Sequence, residues 1–215
     1  MERRESNLLR SLQRSWQVAA CVAMVGAIGA PVALADSSAE NIRNCPDSNW
    51  CYYDRAHDRG WRHSPLGQIN TNNITDLRPA WIFQPGDPVR QGLHMTPLVI
   101  DGHMYLTTNP STVWRLNAAT GEREWIYIPE MDAAIISRSF FSHTRGLAIG
   151  DGRVYMGRAD GHMVALDERT GDVIWDVQVV DSAKETAGIS GAGVFVSSDL
   201  LVIGQNGGEY PVEGK

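Results

Sequence analysis

From Thr96 onward the chain alternates short apolar runs with small clusters of turn-forming residues. "TPLVI", "MYLTT", "TVWRL" and "EWIYI" are followed by "GLAI", "VYMG", "MVAL" and "VIWDV". Each run has the length of a strand and lacks the spacing of an amphipathic helix. Between the runs stand Asp-Gly, Asn-Pro-Ser, Ala-Asp-Gly and Thr-Gly, residues that accept tight or left-handed backbone angles. The pattern predicts two successive sets of four antiparallel strands.

The two sets repeat at an offset of fifty residues. Asp101-Gly102 falls on Asp151-Gly152, Tyr105 on Tyr155, Leu116 on Leu166, Thr120-Gly121 on Thr170-Gly171 and Trp125 on Trp175. Four strands in about 40–50 residues describe one blade of a β-propeller. A single four-stranded sheet cannot bury both faces, so blades persist by stacking. In "RLNAATGEREW" and "ALDERTGDVIW" the Thr-Gly is predicted to turn the chain between the third and fourth strands. The tryptophan is then placed to fill the gap to a neighbouring blade. Two core tryptophans of an unrelated β-sandwich are the other reading of the repeat. A third unit opens at "GAGVFVSSDLLVIG". Propellers close with roughly four to eight blades, so two blades and part of a third are expected to be the N-terminal piece of a larger protein.

The first residues follow a different pattern. Arg3, Arg4, Arg10 and Arg14 precede the apolar run Val18 to Ala30, which Pro31 and Ala33-Leu34-Ala35 close. That order predicts a signal peptide over 1–35, cleaved before Asp36. The alternative is a membrane anchor, but 13 residues with two glycines are short of a bilayer span. The expected organisation is a leader over 1–35, an N-terminal lead-in over 36–90 and propeller blades over 91–215. The leader carries four Arg and two Glu, so its removal takes the net charge from −6 to −8. An acidic domain without basic clusters excludes nucleic acid as the expected partner. Cys45 and Cys51 remain in "CPDSNWC". In an oxidising compartment they read as a disulfide clip, with a metal pair or free thiols as alternatives. No Cys-x-x-Cys-His occurs, so this stretch carries no attached c-type haem.

Four segments in order then carry a resemblance: "RHSPLGQINTNNITDLRPAWIFQPG", "TPLVIDGHMYLTT", the doubled Leu-Asn/Asp-x-x-Thr-Gly-x-x-x-Trp, and "IGQNGGEYPVEG". Together they resemble the pyrroloquinoline quinone (PQQ)-dependent alcohol dehydrogenases, from about Trp50 to Gly214. The resemblance implies an all-β fold, an eight-bladed propeller of PQQ-dehydrogenase type of which this chain holds the first two blades and part of a third. It implies PQQ and a divalent cation, commonly Ca²⁺, near the axis, and oxidation of an alcohol or polyol by hydride transfer to the quinone. Electrons would pass to cytochrome c or a membrane quinone, in the periplasm. The aspartate base and the remaining metal ligands would lie after Lys215. A non-catalytic scaffold of PQQ-type repeats and an inactive truncated product are the competing readings.

Carried over residue by residue, the resemblance makes Glu209 the metal ligand, behind Gly207 and Gly208, which let the backbone come close to a ligand. Arg145 in "SHTRGLA" matches an arginine set against the cofactor, where a guanidinium fork suits a quinone bearing several carboxylates. Ser190 corresponds to a threonine that hydrogen-bonds the cofactor. Two departures stand out. His94 occupies the place of a glutamate before "TPLV", as a hydrogen-bonding substitute or a plain strand-start residue. The adjacent cysteine pair of alcohol-oxidising members falls on Ser139 and Phe140. Phe140 or Phe141 would stack on a flat cofactor or belong to the core. "WIYIPE…SHTRG" is similar to the membrane-bound PQQ glucose dehydrogenases, which makes His143 a further cofactor neighbour.

Overall fold

The computed structural model describes residues 38–55, 62–86, 92–134, 143–182 and 187–206. The expected signal peptide, Ser139, Phe140, Phe141, Gly207, Gly208 and Glu209 lie outside the described residues.

Both predicted strand sets form. β1 (Leu98–Ile100), β2 (His103–Thr108), β3 (Thr112–Asn117) and β4 (Arg123–Tyr127) make an antiparallel meander in chain order. β5 (Ala148–Gly150), β6 (Arg153–Gly157), β7 (His162–Asp167) and β8 (Val173–Gln178) repeat it. β9 (Val194–Phe195) and β10 (Leu201–Val202) pair antiparallel and begin the third unit. The register shift between Arg115 and Leu116 recurs between Ala165 and Leu166.

The repeated motif is a turn with its own chemistry. Asn117 Oδ1 accepts from the Ala119 and Thr120 amides at 2.9 and 3.0 Å, and Asp167 Oδ1 from those of Arg169 and Thr170 at 2.9 and 2.8 Å. The short Asx side chain thus replaces backbone partners in the turn. Thr120 Oγ1 and Thr170 Oγ1 accept the next amides but one, from Glu122 and Asp172 at 3.2 and 3.3 Å. Gly121 and Gly171 sit at φ +74° and +77°, where a side chain is strained. They also lie beneath tryptophans. A Cβ on Gly171 would come within 2.8 Å of Trp125, and one on Gly121 within 2.6 Å of Trp81.

The tryptophans therefore join one unit to the next. Trp125, on β4, donates its indole N–H to the Glu168 carbonyl at 3.0 Å. Trp81 donates to the Ala118 carbonyl at 3.1 Å, the same position one repeat earlier. The joint at Trp125 is reinforced by Tyr105, whose hydroxyl donates to Glu168 Oε1 at 2.9 Å. Arg115 adds a bond to the Glu168 carbonyl at 2.7 Å and an ion pair with Glu124 at 2.8 Å.

The main core lies between the two sheets, where Leu98, Ile100, Tyr105, Val113 and Trp125 meet Ile149, Val154, Met156, Val164 and Leu166. Residues Trp81 and Phe83 cover the other face of the first sheet, against Leu106, Trp114 and Leu116. Phe195 and Leu201 pack on the second sheet at Ala148 and Tyr155.

The N-terminal lead-in is stitched to the inner strands. Helix α1 (Ala39–Arg43) starts at Ser38, whose hydroxyl accepts the Asn41 amide at 3.2 Å. The Ala39 amide donates to Asp151 Oδ1 at 2.9 Å, in the turn between β5 and β6. Asn49 exchanges bonds with Asp101 at 3.1 and 3.2 Å, in the turn between β1 and β2. Trp50 and Val99 exchange backbone bonds at 2.7 and 2.9 Å, extending the inner edge of the first sheet. Cys45 and Cys51 are joined as a disulfide and buried in the main core, which settles their alternatives in favour of the clip.

Candidate functional site

Each unit's innermost strand is preceded by a short irregular lead-in: residues 92–97 before β1, 143–147 before β5 and 187–193 before β9. His94, His143, Arg145 and Ser190 all lie on these lead-ins. Antiparallel meanders that start at the inner edge bring successive lead-ins to one end of the stack, so residues far apart in sequence become neighbours.

The His94 and His143 rings stack, with centroids 4.5 Å apart and planes 26° apart. His94 is exposed and His143 buried. Burial lowers the pKa of His143 below the ordinary imidazole value, and the nearby His94 and Arg145 charges lower it further. His143 is therefore held neutral at pH 7. Ser190 is buried, and its carbonyl accepts the Arg145 amide at 2.7 Å, tying the second lead-in to the third. Gly146, at φ +148°, lets these lead-ins approach, since a Cβ there would stand 3.2 Å from that of Ala192.

Arg145 is exposed and lines a half-open cleft of about 380 Å³. The other walls are Tyr52, Tyr53, Asp54, Leu147 and residues 191–194. The structure thus brings His94, His143 and Arg145 together and joins Ser190 to them through its backbone. The neighbouring Thr144 was not singled out by sequence. It is 2% exposed, and its buried hydroxyl has no hydrogen-bond partner among the described residues. The contribution of Tyr52, Tyr53 and Asp54 was also unforeseen, because nothing local in "CYYD" points toward a residue some ninety positions later.

Among the described residues no group of three or more His, Cys, Asp or Glu is arranged to hold a metal. No helix among them is long and apolar enough to cross a membrane.

Stacked four-stranded antiparallel meanders, locked by tryptophans on Thr-Gly turns, define the blades of a β-propeller. Residues 50–177 match the family described as PQQ: glucose/ethanol/alcohol dehydrogenase, beta-propeller domain, and the chain belongs to that family. It is 33% identical over 217 residues to the dehydrogenase subunit of a quinone alcohol dehydrogenase of Komagataeibacter europaeus, covering 95% of this chain and 29% of the relative. Among solved structures, the quinohemoprotein alcohol dehydrogenase from Comamonas testosteroni superposes with a TM-score of 0.74 at 33% identity, over 82% of this chain and 26% of that one. A europium-containing methanol dehydrogenase superposes with a TM-score of 0.70 at 30% identity, over 80% of this chain and 30% of that one. The chain spans under a third of the length of these relatives.

Proposed function

We propose that this chain forms the N-terminal part of an exported PQQ-dependent dehydrogenase that oxidises an alcohol or polyol and passes electrons to cytochrome c or a membrane quinone. The observation that carries the reading is the convergence of Arg145, His143 and His94 on adjoining lead-ins, with Arg145 lining a cleft, in a chain of this family. In this reading residues 1–35 are the export leader, 36–90 the lead-in and 91–215 blades.

The groups present suit a flat, anionic quinone. Arg145 offers a guanidinium that makes no ion pair among the described residues and can take carboxylates in paired hydrogen bonds. The buried Thr144 hydroxyl is a donor left for a ligand or ordered water to satisfy. His143, kept neutral, can donate or accept a hydrogen bond without adding charge. Residues 191–194 put a small-residue wall, Gly191-Ala192-Gly193, along the cleft. Glu209, with Gly207 and Gly208 before it, would supply the carboxylate for the cation. When bound, the quinone takes up the substrate's hydride, with a divalent cation such as Ca²⁺ as Lewis acid.

Titration of the purified full-length protein with PQQ, read by quenching of intrinsic fluorescence, tests this. Stoichiometric binding that Arg145→Ala weakens at least tenfold is expected. Absence of PQQ binding in the unaltered protein, with Ca²⁺ supplied, would overturn the reading.

A further inference from the structure

Among the described residues, the cleft has two charged side chains in its lining, Arg145 and Asp54. Left to themselves they would cancel, and Asp54 would repel an anionic ligand. Asp54 is not left to itself. Arg62 Nε pairs with Asp54 Oδ1 at 2.7 Å, and the Arg62 guanidinium lies 4.2 Å from the centroid of the Tyr53 ring. The hydrogen bond to Asp54, followed by one to Tyr53, raises the Arg62 pKa above its ordinary value.

We propose that Arg62, seated on the Tyr53 ring, neutralises Asp54 and so sets the preference of the Arg145 cleft for an anionic ligand. This rests on the reading of the cleft as a quinone site, and it gives a role to the arginine that opens "RHSPLGQ". The cation–π contact fixes the guanidinium over the ring, and the carboxylate fixes it laterally. The segment that carries Tyr53 and Asp54 is itself held in place by the Cys45–Cys51 disulfide and the Trp50–Val99 backbone pair. Arg62 and Tyr53 are positioning residues: they act on the ligand through the charge of Asp54.

The pair is open to solvent, with side chains 52% and 40% exposed, so the expected effect is moderate and salt-sensitive. Removing one charge near a bound anion changes affinity roughly three- to tenfold at surface-like dielectric. PQQ titration of the full-length protein by fluorescence quenching tests the proposal. Arg62→Ala is expected to weaken binding by that factor at low salt, and the loss should shrink as ionic strength rises. Arg62→Ala combined with Asp54→Asn is expected to restore the original affinity, which a purely structural role for Arg62 would not permit. If Arg62→Ala binds like the unaltered protein, or the double variant stays as weak as Arg62→Ala, the proposal fails while the quinone reading stands. If the unaltered protein takes up no PQQ at all, both fall together.

Discussion

The outer strands of the two blades have nearly the same sequence pattern and opposite surroundings. On β4, Trp125 is 8% exposed, pressed on Gly171 and bonded to the Glu168 carbonyl. On β8, the equivalent Trp175 is 36% exposed, and Val173, Ile174 and Val177 beside it are exposed too. The strand is the same object in both places. What differs is that, among the described residues, a Thr-Gly turn of another unit stands against Trp125 and none against Trp175. Blade stability is thus a nearest-neighbour property, as in other repeat architectures.

The largest test of that comparison removes the ring. Trp125→Ala is expected to cost about 3–5 kcal/mol, as for large aromatic truncations in a core. Trp175→Ala in the 215-residue chain should cost less than about 1 kcal/mol. Thermal or urea unfolding of both variants checks the difference, and equal losses would break the comparison. A smaller effect comes from the other side of the joint. Gly171→Ala meets both a positive φ and the Trp125 ring, whereas Gly152→Ala meets only a positive φ, with nothing within 4 Å of its Cβ. We expect about 2–4 kcal/mol for the first and about 1 kcal/mol for the second.

Smaller still, Tyr105→Phe should cost about 1–2 kcal/mol by removing one donor from the buried Glu168 carboxylate. Tyr155→Phe, which lies at the corresponding position of the second blade, should cost no more than about 0.5 kcal/mol. The smallest effect concerns pH. His143 has its pKa lowered in the folded protein, so the unfolded chain binds more protons as pH falls. The stability it contributes is fully present above the unfolded imidazole pKa of about 6.5 and is lost as pH drops through the folded value. His143→Gln should flatten the fall in Tm between about pH 7.5 and 5, read by thermal unfolding across that range. An unchanged pH profile would show that His143 does not titrate in this range.

Much of this architecture was legible in the chain because its causes are local. The Asp-Gly turns, the Asn117 and Asp167 side-chain caps and the glycines at positive φ act over four or five residues. The fifty-residue period carries them from one blade to the next. The clip between Cys45 and Cys51 was one of several readings of a short loop, and the fold chose among them by bringing the two sulfurs together in the core. Trp81 shows the limit of period matching. It docks on Gly121 as Trp125 docks on Gly171, but it stands forty-four residues before Trp125, so the repeat did not reveal it.

The sequence by itself determined the strand order, the turn chemistry and the family, since each resides in contiguous residues or in their spacing. The tertiary structure alone decided which tryptophan is covered, that His94 stacks on His143, and that Tyr53 and Asp54 share a cleft with Arg145. Those outcomes depend on which lead-ins the stacked sheets bring to the same end. Such proximity arises from packing between units and leaves no periodic trace along the chain.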